Sequence, residues 1–171
     1  YDLLECNNCK FIFQKFIPDE NFAEELYEKY ISPEESLEKK ISNIENMKKQ
    51  YHNEINLIKK IFEDKEINIL EFGAGWGFWS IEARKFGFNV SCLELSKKRV
   101  DYMKSKDLKV IDSIENDSEK YDLIYSDQTF EHINNPKETL DLLNRSLNTN
   151  GYIYLNFPSS FGFKKKVSKN Y

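Results

Sequence analysis

The sequence predicts an α/β fold in which short buried strands alternate with helices around one glycine-rich turn. Three adjoining observations predict it. Ile67, Ile69, Leu70 and Phe72 form an apolar run the length of a buried strand. Gly73, Ala74, Gly75 and Gly77 follow as a turn with almost no side-chain bulk. From Phe78 to Phe86 the pattern turns helical, with Phe78, Ile81 and Lys85 or Phe86 returning at helical steps. Strand, glycine turn and helix together bring backbone N–H groups and a helix N-terminus up to a ligand. Glycine is required there because a Cβ would block close approach or forbid left-handed dihedrals.

The details of the turn select the ligand. A dinucleotide fingerprint, G-x-G-x-x-G, would place its third glycine on Phe78. A carboxylate, Glu71, stands on the strand end, where it suits an ammonium group and opposes a pyrophosphate. The turn is therefore read as built for a cationic, phosphate-free cofactor. Glu71, Gly73, Gly75 and Gly77 resemble the first motif of the class I S-adenosylmethionine (SAM) methyltransferases, E/D-x-G-x-G-x-G. The resemblance implies that SAM lies against Glu71, Gly73, Ala74, Gly75 and Gly77, with Glu71 near its amino acid end.

The strands that follow extend the resemblance. Asn89 to Leu95 reads as the second core strand, and Glu94 lies about twenty positions after Gly73, the spacing of a ribose-gripping carboxylate. Ser96 to Ser105 reads as a helix and Leu108 to Ile111 as the third strand, closed by Asp112. Tyr121 to Tyr125 is a buried fourth strand leading into Ser126-Asp127-Gln128-Thr129-Phe130-Glu131-His132-Ile133. This resembles the fourth methyltransferase motif, in which Glu-His and an apolar residue follow the strand. Asn135 and Pro136 open a helix carrying Leu140, Leu143 and Leu147, and Asn150-Gly151 turns into a fifth strand, Tyr152 to Phe157. The ordered set implies cofactor contacts at Glu94, Leu95 and Ser126. It also implies one from Asp112 to the adenine amino group, although Asp112 reads equally as a plain turn residue.

Composition bounds the rest. At 171 residues and 20.4 kDa the chain holds one domain, or one domain with a small appendage. Hydrophobic residues at 40% suffice for a packed core. A net charge of −4 gives no general affinity for nucleic acid. No apolar run approaches the ~18 residues that span a bilayer, and no signal peptide is visible. The sparse, odd set of cysteines points to a reducing cytoplasm.

Four segments are expected. Residues 1–16 form a hairpin with Cys6-Asn-Asn-Cys9 at its tip. It resembles the second half of the zinc-binding segment of some sugar methyltransferases, but structural zinc needs four ligands. Cys6 and Cys9 lack two partners, so no metal site and no stoichiometric zinc are expected in this chain. Residues 19–64 are helical: a short helix from Asn21 to Tyr30, then a long one of about eight turns. Ser32 caps the long helix, with Pro33 at its first position and Glu34 and Glu35 in the first turn. Its stripe of Leu37, Ile41, Ile44, Tyr51, Ile55, Ile58 and Phe62 packs on its own domain, covers the cofactor site or pairs with a second subunit. Residues 65–160 are the SAM-binding core, with Rossmann-like topology. Residues 161–171 are a basic tail with Lys164, Lys165 and Lys166.

A complete class I sheet has seven strands and five are visible, so the core reads as truncated. The lack of an initiator Met before Tyr1 points the same way. An open sheet edge invites pairing with another chain, as in a homodimer. The resemblance implies methyl transfer to a small molecule, with the cysteine hairpin pointing to a sugar or nucleotide-linked sugar. His132 is the candidate base for a hydroxyl nucleophile, imidazole being the side chain that titrates near neutral pH. Alternatively, Glu131 and His132 only stabilise the turn after the fourth strand. Two other readings stand beside the enzyme: a degenerate SAM-binding scaffold without turnover, and a nicotinamide-dependent oxidoreductase. The latter shares Glu94 but conflicts with Glu71 and Phe78.

Overall fold

The computed structural model describes residues 2–16 and 32–158. The helix expected over Asn21 to Tyr30 and the lysine run at Lys164 to Lys166 lie outside them. The chain divides between Met47 and Lys48 into two compact units.

In the first unit, β1 (Leu3–Glu5) and β2 (Ile12–Gln14) pair antiparallel, with Leu4 opposite Phe13. Cys6 and Cys9 lie in the connecting turn. It is closed by the Cys6 N–H donating to the Phe11 carbonyl at 2.8 Å and the Lys10 N–H to the Cys6 carbonyl at 3.0 Å. Helix α1 (Pro33–Ser42) starts as its sequence predicts, with Ser32 Oγ accepting the Glu35 N–H at 3.2 Å.

The single long helix is not formed. The chain leaves helical geometry at Asn43 (φ −105°, ψ 11°), and α2 (Ile44–Ile61) begins anew. Short polar side chains compete there with the helical backbone. Ser42 Oγ donates to the Lys39 carbonyl at 2.9 Å, and Asn43 Oδ1 accepts from Asn46 Nδ2 at 2.8 Å. The expected apolar stripe divides accordingly. Helix α1 buries no residue, whereas α2 buries Tyr51, Ile55 and Ile58.

The second unit holds a five-stranded parallel sheet. Its elements in chain order are β3 (Asn68–Phe72), α3 (Phe78–Lys85), β4 (Asn89–Leu93), α4 (Lys97–Ser105), β5 (Lys109–Val110), β6 (Tyr121–Asp127), α5 (Pro136–Arg145) and β7 (Leu147–Asn156). Spatially the strands run β5-β4-β3-β6-β7. The winding reverses between β3 and β6, and in such sheets the ligand crevice opens beyond the strand ends at that reversal. The glycine turn leaves β3 at this place.

Strand limits differ from the sequence reading, and the second strand ends at Leu93 rather than Leu95. The third strand shrinks to Lys109–Val110, while the fourth runs on to Asp127. The fifth begins at Leu147, before the predicted turn, because Asn150 (φ 65°) and Gly151 form an irregularity inside the strand. Tyr121 pairs with Leu147, and Leu123 already with Tyr152.

Register assigns the two faces. Leu70, Ile124 and Ile153 lie in one row across the sheet, joined by Leu93, Ile114, Phe130 and Leu143 in a hydrocarbon core. One residue further on, the row is Cys92, Glu71, Tyr125 and Tyr154, on the opposite face.

Candidate active site

The turn after β3 is fixed by close packing. The Gly73 and Ala74 N–H groups both donate to the Leu93 carbonyl, at 2.9 and 3.0 Å, which ties the turn to the end of β4. Gly73 sits at φ 75°, and a Cβ there would lie 2.3 Å from Thr129, which follows β6. Gly77 (φ 69°) would place a Cβ 2.6 Å from Leu108 and 2.8 Å from Met103. Both positions therefore demand glycine on dihedral and on steric grounds.

Glu94 is drawn into the same turn. Its Oε2 accepts the Gly75 N–H at 2.8 Å, and its Oε1 accepts the Leu95 and Ser96 N–H groups at 3.0 and 2.9 Å. Arg99, from α4, brings Nη1 to 3.6 Å of Oε2 and holds its guanidinium 5.8 Å from the centre of the Trp76 ring. Leu95, directly beside this carboxylate, is 94% exposed and offers an apolar surface for a flat ring.

Glu71 is buried on β3 and accepts the Ser80 hydroxyl, which in turn accepts the Cys92 thiol at 3.1 Å. Burial, and next the Glu71 charge, push the Cys92 thiol up to about 12, so it remains a proton donor. Beside Glu71, the Tyr125 hydroxyl donates to Glu54 Oε2 at 2.7 Å, and Gln50 Nε2 donates to Glu54 Oε1 at 2.9 Å. Trp79 stacks on Tyr125 at 4.0 Å and Tyr125 on Tyr154 at 5.3 Å.

At the tip of β6, Asp127 accepts Asn156 Nδ2 at 2.7 Å, and Thr129 Oγ1 donates to the Asp127 carbonyl at 3.1 Å. Ser126 is 1% exposed, and its hydroxyl has no hydrogen-bond partner among the described residues. A buried hydroxyl left unpaired costs about 1–3 kcal/mol, so this orphan beside the crevice fits a group supplied by a ligand. The Trp79 indole N–H likewise has no partner among the described residues.

Among the residues expected from sequence, Gly73, Ala74, Gly75, Gly77, Glu94 and Leu95 converge on one turn. Glu71 accepts the Ser80 hydroxyl, and Ser126 lies buried on the neighbouring strand β6. His132 lies in a short 3-10 turn (Phe130–His132), with its side chain 58% exposed and Nε2 4.0 Å from Glu131 Oε1. Asp112 is exposed beyond β5 and joins none of these hydrogen bonds. Sequence reasoning missed Arg99, Thr129, Trp79 and the Glu54–Tyr125 pair. The Gly73–Thr129 and Glu54–Tyr125 contacts join residues 56 and 71 positions apart, which no local pattern signals.

In a parallel sheet of this order the crevice lies beyond the strand ends at the reversal, and the acid-anchored glycine turn stands at that place. The chain belongs to the methyltransferase domain family, whose profile matches residues 44–169. No curated protein matches its sequence. Among solved structures it is similar to the plantazolicin methyltransferase BpumL, in complex with a pentazolic desmethylPZN analogue and SAH. The TM-score is 0.61 at 18% identity, covering 84% of this chain and 60% of that one. It is also similar to coclaurine N-methyltransferase bound to N-methylheliamine and SAH, with TM-score 0.52 and 19% identity over 61% of this chain and 34% of that one. The glycopeptide N-methyltransferase MtfA gives 0.53 at 12% identity, covering 61% and 52%. The chain thus spans a third to three-fifths of the length of these structures. No helix among the described residues is long and apolar enough to cross a membrane.

Proposed function

We propose that this chain binds SAM in the glycine turn and transfers its methyl group to a small molecule, a sugar or nucleotide-linked sugar. The observation that carries the reading is Glu94. It is a carboxylate fixed by three backbone N–H groups at the mouth of the glycine turn, with exposed Leu95 beside it. That arrangement suits a ribose next to an adenine. SAM, when bound, supplies an activated methyl group on a sulfonium. The protein's task is then alignment, since displacement in line demands position above all. Glu94 accepts a hydrogen bond from a ribose hydroxyl, Glu71 sets a negative charge near the ammonium end, and Ser126 offers its hydroxyl to the ligand. His132 accepts the proton of an acceptor hydroxyl. The acidic chain and its free cysteines support a small acceptor and a reducing cytoplasm.

Calorimetry with SAM, SAH and NADH tests the cofactor. SAM and SAH bind, and Glu94→Ala weakens both by about 1.5–3 kcal/mol, the worth of one hydrogen bond to a charged group. Tight NADH binding without SAM binding overturns the reading. For the base, labelled SAM is offered with pools of free and nucleotide-linked sugars. His132→Asn lowers turnover by ~10²–10⁴-fold at unchanged SAM affinity. Near-normal turnover, or joint loss of SAM binding and stability, removes His132 from the chemistry.

A further inference from the structure

Glu94 accepts more than the anchoring of a ribose requires. A carboxylate offers about four acceptor positions. Gly75, Leu95 and Ser96 fill three of them with backbone N–H groups at 2.8, 3.0 and 2.9 Å, and Arg99 faces the fourth at 3.6 Å. The three backbone donors belong to the glycine turn and the chain entering α4, so they cannot leave without unfolding those segments. The guanidinium can leave. At 3.6 Å it is an ion pair beyond ordinary hydrogen-bond length, on a side chain with several rotatable bonds. It also has a second resting place, the face of Trp76, which is buried in the turn itself.

We propose that Arg99 caps the ribose-binding carboxylate and that a cofactor hydroxyl must displace it to bind, making Arg99 a determinant of cofactor affinity and of selectivity for a ribose hydroxyl. This rests on the SAM reading of the glycine turn and deepens it. Glu94 then has room for one hydroxyl rather than two, because its backbone bonds stay in place. With side-chain exposures of 21% for Arg99 and 10% for Glu94, the pair is only partly screened by water. Breaking it therefore opposes binding. The released guanidinium stays near Trp76, which keeps the crevice mouth positively charged.

The test separates displacement from general support of the fold. Affinities for SAH and for its 2′,3′-dideoxy analogue are measured by calorimetry on wild type, Arg99→Met and Arg99→Lys, with thermal unfolding as the folding control. Arg99→Met binds SAH about two- to fivefold tighter, as expected for removing a partly exposed ion pair, while its affinity for the dideoxy analogue is unchanged. Arg99→Lys, which keeps the charge, stays close to wild type. Weaker or unchanged SAH binding by a folded Arg99→Met overturns the proposal, as do equal shifts for SAH and the analogue. If neither wild type nor variants bind SAH, the cofactor reading itself falls and the cap falls with it. SAH binding by wild type with the wrong response to Arg99→Met overturns the cap alone.

Discussion

The two faces of the parallel sheet hold together by different means. On one, Leu70, Ile124 and Ile153 meet Leu93, Ile114, Phe130 and Leu143, and the stabilisation is apolar burial without directional demands. On the other, one residue further along the same strands, Cys92, Glu71, Tyr125 and Tyr154 form a row whose buried groups are joined by hydrogen bonds and ring stacking. Burial first, and then the Glu54 charge, raise Tyr125 far above the ordinary phenol range, so it stays protonated and donates to Glu54. The hydrocarbon face tolerates a swap that keeps volume. The polar face tolerates only a swap that keeps partners, because removing one member strands another. The polar row includes Glu71 beside the glycine turn, so directional bonding is concentrated next to that turn.

This contrast can be broken by substitution. The largest effect is expected on the hydrocarbon face: Leu70→Ala, at a fully buried position, costs about 2–5 kcal/mol in urea unfolding through lost transfer energy and a cavity. On the polar face, Tyr125→Phe keeps the stack on Trp79 and removes only the donor to Glu54. It should cost about 1–3 kcal/mol, with Gln50 still serving the carboxylate. A Tyr125→Phe cost equal to that of Leu70→Ala would mean that the polar row is packing in another guise.

A smaller, pH-dependent effect sharpens the comparison on the helices above this face. Glu82 of α3 meets His52 Nε2 of α2 at 2.9 Å and Lys85 Nζ at 2.7 Å. Burial alone would raise its carboxyl, but the hydrogen bonds from His52 and Lys85 outweigh it and hold it below its ordinary 4.5. A lowered folded value stabilises the protein above the unfolded value and is lost as pH falls through the folded one. Glu82→Gln should therefore cost about 1 kcal/mol at neutral pH and nothing once both proteins are fully protonated. A cost that persists unchanged into acid would trace the effect to packing rather than charge.

The sequence made the glycine turn legible because local chemistry dictates it: a strand, four small residues and a helix need nothing distant to be recognised. The place of Glu94 beside the glycine turn was legible through spacing. The break at Asn43 was hidden by hydrophobic periodicity, which continues through it, while the signal lay in the adjacent Ser42 and Asn43 side chains. The polar row was hidden for another reason. Tyr125 reads as one more large residue in a buried strand, and only parallel register sets it beside Glu71, with Glu54 reaching it from α2. Arg99 carries no pattern of its own on a helix rich in lysine, and its place over Trp76 depends on how α4 meets the turn.

Both tryptophans of the chain belong to this one neighbourhood. Trp76 stands in the glycine turn under Arg99, and Trp79 lies in the first turn of α3, stacked on Tyr125. Both indoles are buried, and the chain has no other to dilute their emission. The protein's ultraviolet fluorescence is thus a local optical signal rather than an average over the molecule. Quenching and wavelength report the guanidinium over one ring and the stacking of the other, so any change at either is readable without an attached label.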